Sequence, residues 1–200
     1  MSEASRVVLV TGASSGIGEA VARRAAARGD HVVLLARGRE ALERVAADCD
    51  ALGAASTLVT PADVSDDAQL GAAVASGLAA HGRIDVVVGS AGVVAYGRIP
   101  DVPVEVFDQV VATNLLGSVN LARHVVPVLR DQGEGSMVLV GSVIGHIAVP
   151  DMAAYVLSKW GVRGLARQLR VDAAPVLAAV QCRHQGRRVT EQPARGTAGR

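Results

Sequence analysis

Lysine is nearly missing from this chain. Arginine supplies positive charge nineteen times and lysine once, at Lys159. Aromatic residues are almost as scarce, at one Trp, two Tyr and one Phe, so the core has to be built from Ala, Val and Leu. Cysteine occurs twice, as the distant singletons Cys49 and Cys182. That leaves no CxxC pair and no disulfide framework, and free thiols in a reducing compartment are the expectation. No apolar run approaches the roughly 20 residues that span a bilayer. The opening "MSEASRVVLVTG" lacks the long apolar stretch of a signal peptide. A soluble, cytoplasmic protein is therefore expected. Net charge is only +1, which gives no reason to expect a nucleic-acid or membrane partner. The five histidines are scattered, with none beside Cys or carboxylate at ligand spacing, so no metal site is expected.

What the chain does contain is a regular alternation. Two hundred residues suit a single domain with a real core. Short apolar runs at 6–12, 31–37, 56–63, 84–92 and 136–142 read as strands. Helical patterns follow at 16–28, 39–52, from Ser65 or Asp66 to His81-Gly82, at 104–131 with Pro127 as the point for a kink, and at 152–172. Five such units predict an α/β fold, a doubly wound parallel sheet of at least five strands with right-handed crossovers. A charge seam lies near the C-terminus. Residues 1–172 carry 15 basic and 18 acidic side chains, and residues 173–200 carry 5 and 1. The first segment reads as the folded domain and the second as a divergent, disordered basic tail.

The first strand runs into "TGASSGIG", residues 11 to 18, and then directly into a helix. Gly12 permits a tight turn, Gly16 lets backbone approach a pyrophosphate, and Gly18 lets helix and strand pack closely. Phosphate oxygens would meet the free N–H groups of the helix N-terminus, where the dipole favours negative charge. The strand before and the helix after are the context that separates a dinucleotide loop from an ordinary turn. The second strand ends "LLARGRE", with Arg37 and Arg39 and no acid before Glu40. Arginine there suits the 2′-phosphate of NADP, whereas an acid would suit the 2′-OH of NAD. Two solvated arginines at a helix start would give the same string. NADP is the preferred cofactor and NAD the alternative.

Tyr155 and Lys159 are four residues apart on the predicted last helix, so they share a face, with Cβ atoms about 6 Å apart. An ammonium beside a phenol favours the phenolate and makes the hydroxyl a usable acid–base near neutral pH. A packed Tyr next to a solvated Lys is the plain alternative, and only context separates the two.

Thr-Gly-x-x-x-Gly-x-Gly at 11–18 followed by Tyr-x-x-x-Lys at 155–159 resembles the short-chain dehydrogenase/reductase family. The resemblance covers about residues 5 to 172. It takes in "AD" at 62–63, "AG" at 91–92, Asn114 in "ATNLLG" and Ser142 in "GSVIG". It implies a Rossmann-like fold and an oxidoreductase interconverting a ketone or aldehyde and an alcohol. It also implies that Tyr155 exchanges a proton with the substrate oxygen, Ser142 holds that oxygen, and Lys159 binds the nicotinamide ribose. Asn114 would hold a water behind Lys159, and Asp63 with Val64 would meet the adenine. The cofactor set so implied is Gly12, Ser14, Ser15, Gly16, Ile17, Gly18, Arg37, Asp63, Val64, Ala91, Gly92, Tyr155 and Lys159. A small-molecule carbonyl or alcohol is the implied partner, in a homodimer or homotetramer paired through the long helix and the Tyr–Lys helix. Val94, Tyr96, His146, Ala148 and Val149 are candidates for the substrate wall.

The chain departs from the family pattern in three places. "GSAG" at 89–92 stands where the family usually has Asn-Asn-Ala-Gly. Ser15 occupies a position that is often basic in NADP-preferring members. Beyond residue 172 the expected sixth and seventh strands, Pro-Gly turn and substrate lid are not evident, although "VLAAVQC" at 176–182 has strand character. A shifted reading frame or truncation accounts for both the lost pattern and the charge seam; a short member with a divergent tail is the alternative. On that reading the fifth strand becomes an unpaired sheet edge, and the 200-residue form turns over no substrate at a useful rate. A catalytically silent dinucleotide-binding fragment is then the alternative function.

Overall fold

The computed structural model describes residues 5–172 and, as backbone, the strand at 179–183. The first strand, β1 (Val7–Thr11), is buried along its whole length. Its side chains alternate, with Val7 and Leu9 entering one core and Val8 and Val10 the other. Valine-rich strands of this kind suit a parallel sheet covered on both faces. Helix α1 (Gly16–Ala26) follows and buries Gly18, Ala22, Ala25 and Ala26, a stripe of small residues that brings it close to the sheet. β2 (His31–Ala36), α2 (Arg39–Ala51) and β3 (Ser56–Pro61) complete the first half. α3 (Asp67–His81) starts at Asp66, whose carboxylate accepts from the Gln69 N–H at 3.0 Å, and ends on left-handed Gly82.

The second half begins with β4 (Val86–Gly89), continues through α4 (Val104–Val111) and α5 (Gly117–Gln132), and reaches β5 (Ser136–Val140) and α6 (Ala153–Asp172). The sequence predicts one helix over 104–131, kinked at Pro127. The structure instead runs α5 without interruption through Pro127 and breaks the helix earlier, with a π-helical turn at Ala112–Leu116. Such turns carry one extra residue and re-aim the side chains around them.

The sheet has six strands in the order β3-β2-β1-β4-β5-β6, where β6 is Ala179–Arg183. At least five parallel strands were expected and are present. The missing sixth strand and the unpaired β5 edge are corrected: β5 pairs in parallel with β6 from Ser136↔Ala179 to Val140↔Arg183. The apolar run after α6 supplies the ladder without the Pro-Gly turn by which it would have been recognised. Apart from β6, the expected disordered tail at 173–200 lies outside the described residues.

Strand order reverses between β1 and β4, and the carboxyl ends of those strands open a crevice at that point. Cys49 is buried, and burial, reinforced by Asp50 and Asp48, pushes its thiol up to about 11. It is a core residue rather than a nucleophile. Among the described residues no helix is long and apolar enough to cross a membrane.

Candidate active site

At the crevice lies a cleft of about 560 Å³. Its walls include Gly12, Ser14, Ser15, Gly16, Ile17, Gly18, Arg37, Asp63, Val64, Ala91 and Gly92, all expected from the sequence. Ala36, Gly38, Ala62, Ser90, Val93 and Thr113 complete it. Of these only Val93 lies outside the motifs read from the sequence; the others lie within those motifs, beside residues already assigned to the site.

The glycines shape the cleft by what they lack. Gly12 has φ +66, and a Cβ there would lie 2.8 Å from the Ala91 backbone. A Cβ on Gly18 would run into the Gly12 carbonyl and the Ser90 hydroxyl. Gly16 also has a left-handed backbone, φ +58, but nothing lies within 4 Å of its missing Cβ, so it presents bare backbone to open space. Ser15, the residue before α1, makes no side-chain cap, so the first N–H groups of the helix keep their donors for a ligand. Together these features fit a dinucleotide pyrophosphate.

Arg37 is exposed on the cleft wall and makes no ion pair among the described residues. Arg39 turns away and pairs with Glu43 at 3.6 Å. Asp63 is held firmly. Its Oδ1 accepts from the Ser65 N–H at 2.9 Å and the Ser65 hydroxyl at 2.7 Å, and its own N–H donates to Gln69 Oε1. The α3 cap thereby fixes the residue expected at the adenine.

Where the family pattern has two amides, "GSAG" is supported by other means. Thr11 Oγ1 accepts from the N–H groups of Ser90 and Ala91 at 3.1 and 3.2 Å, and the Ser90 hydroxyl donates back to the Thr11 carbonyl. This reciprocal pair ties the ends of β1 and β4. Leu139 and Leu121 fill the space beside Gly89, where a Cβ would lie 2.8 and 3.1 Å from them. Ser90 is thus a structural hydroxyl as well as a cleft wall.

Beyond Gly92 the site changes character. Asn114 sits on the π-helical turn, 1% exposed. Its Oδ1 accepts from the Val93 N–H at 2.8 Å, and its Nδ2 donates to the Val93 carbonyl at 2.9 Å and to Ser158 Oγ at 3.0 Å. Both backbone polar groups of one loop residue, Val93, are therefore clamped by a single side chain. The missing Cβ of Gly92 makes room for Asn114 Oδ1 and Lys159 Nζ, which would lie 3.2 and 3.7 Å from it. Lys159 is 6% exposed, donates to the Val140 carbonyl at 2.9 Å, and places its Nζ 5.6 Å from the Tyr155 ring centroid. The predicted pair thus faces one way, over the end of β5. Ser142 follows β5 directly, and its Oγ accepts from the Ile144 N–H at 3.3 Å. It makes no other hydrogen bond among the described residues, so its O–H is available as a donor.

The cleft stops short of these groups, since Ser142, Tyr155 and Lys159 are not among its walls. Val94 and Tyr96, expected against the substrate, are 46% and 73% exposed and also lie outside it. His146 and Ala148 are exposed and Val149 half-buried.

Comparison with known proteins agrees with this geometry. The short chain dehydrogenase family model matches residues 6–191. The chain is 40% identical over 173 residues to 2-(R)-hydroxypropyl-CoM dehydrogenase of Xanthobacter autotrophicus, covering 85% of this chain and 69% of that enzyme. It is 37% identical over 171 residues to human dehydrogenase/reductase SDR family member 7, covering 84% of this chain and 50% of that one. The solved structure of NAD+-bound xylitol dehydrogenase superposes with a TM-score of 0.83 at 32% identity, over 86% of this chain and 66% of that one. An alcohol dehydrogenase from Thermococcus sibiricus complexed with 5-hydroxy-NADP gives 0.82 at 30% identity, over 86% and 72%. The chain therefore spans between 50% and 72% of the length of these four proteins. From glycine loop to Tyr–Lys helix it belongs to the short chain dehydrogenase family.

Proposed function

We propose that this protein binds NADP(H) in the cleft and interconverts a ketone or aldehyde with an alcohol, with Tyr155 as the acid–base. One observation carries the reading: Gly92 is a wall of the glycine-lined cleft, and Asn114 and Lys159 stand directly behind it. Gly16 and the α1 N-terminus would hold the pyrophosphate, Arg37 the 2′-phosphate, and Asp63 and Val64 the adenine. Lys159 would hold the nicotinamide ribose, and Ser142, whose O–H donates to no group among the described residues, the substrate oxygen. Bound there, the nicotinamide supplies or accepts the hydride. Tyr155 gives its phenolic proton to the carbonyl oxygen in reduction and takes it back in oxidation, with Lys159 Nζ 5.6 Å from its ring centroid. NADP is preferred because Arg37, at the end of β2, makes no ion pair among the described residues and no acid shares that position.

A second reading, a dinucleotide-binding protein without turnover, is favoured by the separation of Ser142 and Tyr155 from the cleft walls. One series of measurements decides between them. NADPH and NADH are titrated by fluorescence, and a ketone and aldehyde panel is then assayed with the wild type and with Tyr155→Phe. Turnover that falls about 10²- to 10⁴-fold in the variant, at unchanged NADPH affinity, supports the oxidoreductase. NADPH binding without wild-type turnover selects the second reading.

A further inference from the structure

The chain has a single tryptophan, Trp160, directly after Lys159. Half-exposed on α6, it would pass for an ordinary surface aromatic but for its indole N–H, which donates to the Ile144 carbonyl at 2.9 Å. Ile144 lies in the short 3-10 turn Val143–Gly145 that follows Ser142. The N–H of the same residue donates to Ser142 Oγ at 3.3 Å. Ile144 is therefore held at both polar groups, by Trp160 at its carbonyl and by Ser142 at its amide.

The contact extends on either side of Ile144. A Cβ on Gly145 would lie 3.0 Å from the Lys159 carbonyl, so the absence of a side chain lets the turn rest on the backbone of α6. One turn further along, Arg163 reaches the Gly145 carbonyl at 3.5 Å, a longer and weaker bond. The turn is thus docked on the helix that carries Tyr155 and Lys159. The indole bond is the shorter of the two that Trp160 and Arg163 make to the turn.

We infer that Trp160 is a positioning residue: through Ile144 it fixes Ser142 relative to Tyr155. This rests on the reading in which both side chains hold the substrate oxygen. That oxygen has to meet one hydroxyl from the β5–α6 turn and one from α6, so the spacing of turn and helix sets how well both are reached. Displacement of a reacting group by about 1 Å costs on the order of 100-fold in rate. The Gly145 contact and the Arg163 bond hold the far side of the turn, and the indole bond, shorter than that of Arg163, acts on the residue that also bonds Ser142 Oγ. Trp160 supplies the hold from outside the cleft, without touching cofactor or substrate.

The test uses the full chain. Trp160→Phe removes the donor and part of the ring. Replacement of Trp160 by β-(3-benzothienyl)alanine removes only the N–H, and it reports on this site alone because there is no other tryptophan. Amide hydrogen exchange at Ile144, Val162 and Ala166 is followed by NMR, beside NADPH affinity and steady-state kinetics. The expected result is exchange at Ile144 faster by about tenfold with Val162 and Ala166 unchanged. NADPH affinity stays at the wild-type value, and kcat falls by about tenfold at unchanged KM for the carbonyl substrate. Unchanged exchange at Ile144 overturns the tether. Faster exchange along all of α6 overturns it in favour of simple packing. Faster exchange at Ile144 with unchanged kcat overturns the positioning role. A wild type without turnover overturns the functional reading and the catalytic half of this inference, while exchange still decides the tether.

Discussion

From Gly12 to Asp63 the cleft is a surface of backbone, opened by side chains that are absent or held aside. From Gly92 to Lys159 the neighbouring region is a mesh of side chains bonded to backbone: Asn114 to Val93, Ser158 to Asn114 and the Tyr155 carbonyl, Lys159 to Val140, and Trp160 to Ile144. The first region needs little more than glycine at set intervals after a strand. The second needs five segments brought to one place by the sheet and by a π-helical turn. A binding surface made from backbone tolerates change around it. A catalytic geometry made from side chains depends on every partner.

The comparison can be broken at either end, and the strongest break is at Gly18. Gly18→Ala puts a Cβ onto the Gly12 carbonyl and 2.6 Å from Ser90 Oγ. Overpacking of this kind costs about 1–3 kcal/mol, and here it deforms the phosphate turn itself. NADPH titration should show binding abolished, with the folded core retained by circular dichroism. Retained affinity would mean the turn can shift without loss.

Asn114→Ala breaks the other region. It leaves the N–H and carbonyl of half-buried Val93 without their partner, at about 1 kcal/mol for each lost bond. Denaturant unfolding should show that loss, and turnover should fall with it. NADPH affinity should remain close to that of the wild type. A parallel collapse of NADPH affinity would show the two regions to be one unit.

Arg37→Ala sharpens the comparison within the first region, because it alters a charge and no backbone. NADPH should bind about tenfold or more weakly while NADH is unaffected. Equal weakening of both would remove Arg37 from the 2′-phosphate.

The smallest effect lies away from both regions, at the opposite end of β2. The His81 ring is 4.9 Å from that of His31, and its Nε2 is buried with no hydrogen-bond partner among the described residues. Burial first, and the neighbouring His31 second, hold its pKa below the ordinary 6.5. The unfolded chain therefore binds the proton more readily than the folded one. The stabilisation is complete above pH 6.5 and declines as pH falls from there through the folded-state value. His81→Gln should flatten the stability–pH profile in that interval, and urea midpoints across it provide the measurement.

Much of the first region was legible before any coordinates. Gly12, Gly16 and Gly18 announce themselves because each answers a backbone requirement that no other residue meets, and Arg37 and Asp63 follow from their places at strand ends. Tyr155 and Lys159 were legible too, since helical spacing alone puts them on one face. Three things were hidden. The π-helical turn that buries Asn114 falls in a pattern whose apolar period continues through it, while Pro127, the visible breaker, breaks nothing. The Ser90–Thr11 pair joins residues 79 apart, and no local pattern encodes such a bond. β6 was hidden because its apolar run is short and lacks the turn chemistry that marks the other strands.

One consequence follows from the single lysine. Lys159 is the only side-chain amine in the protein, it is 6% exposed, and its nitrogen is engaged by the end of β5. An acylating reagent therefore meets one internal target, shielded while α6 lies down and accessible only when it lifts. The rate of that one labelling reaction, read by mass spectrometry, clocks the opening of α6 without any probe having to be introduced.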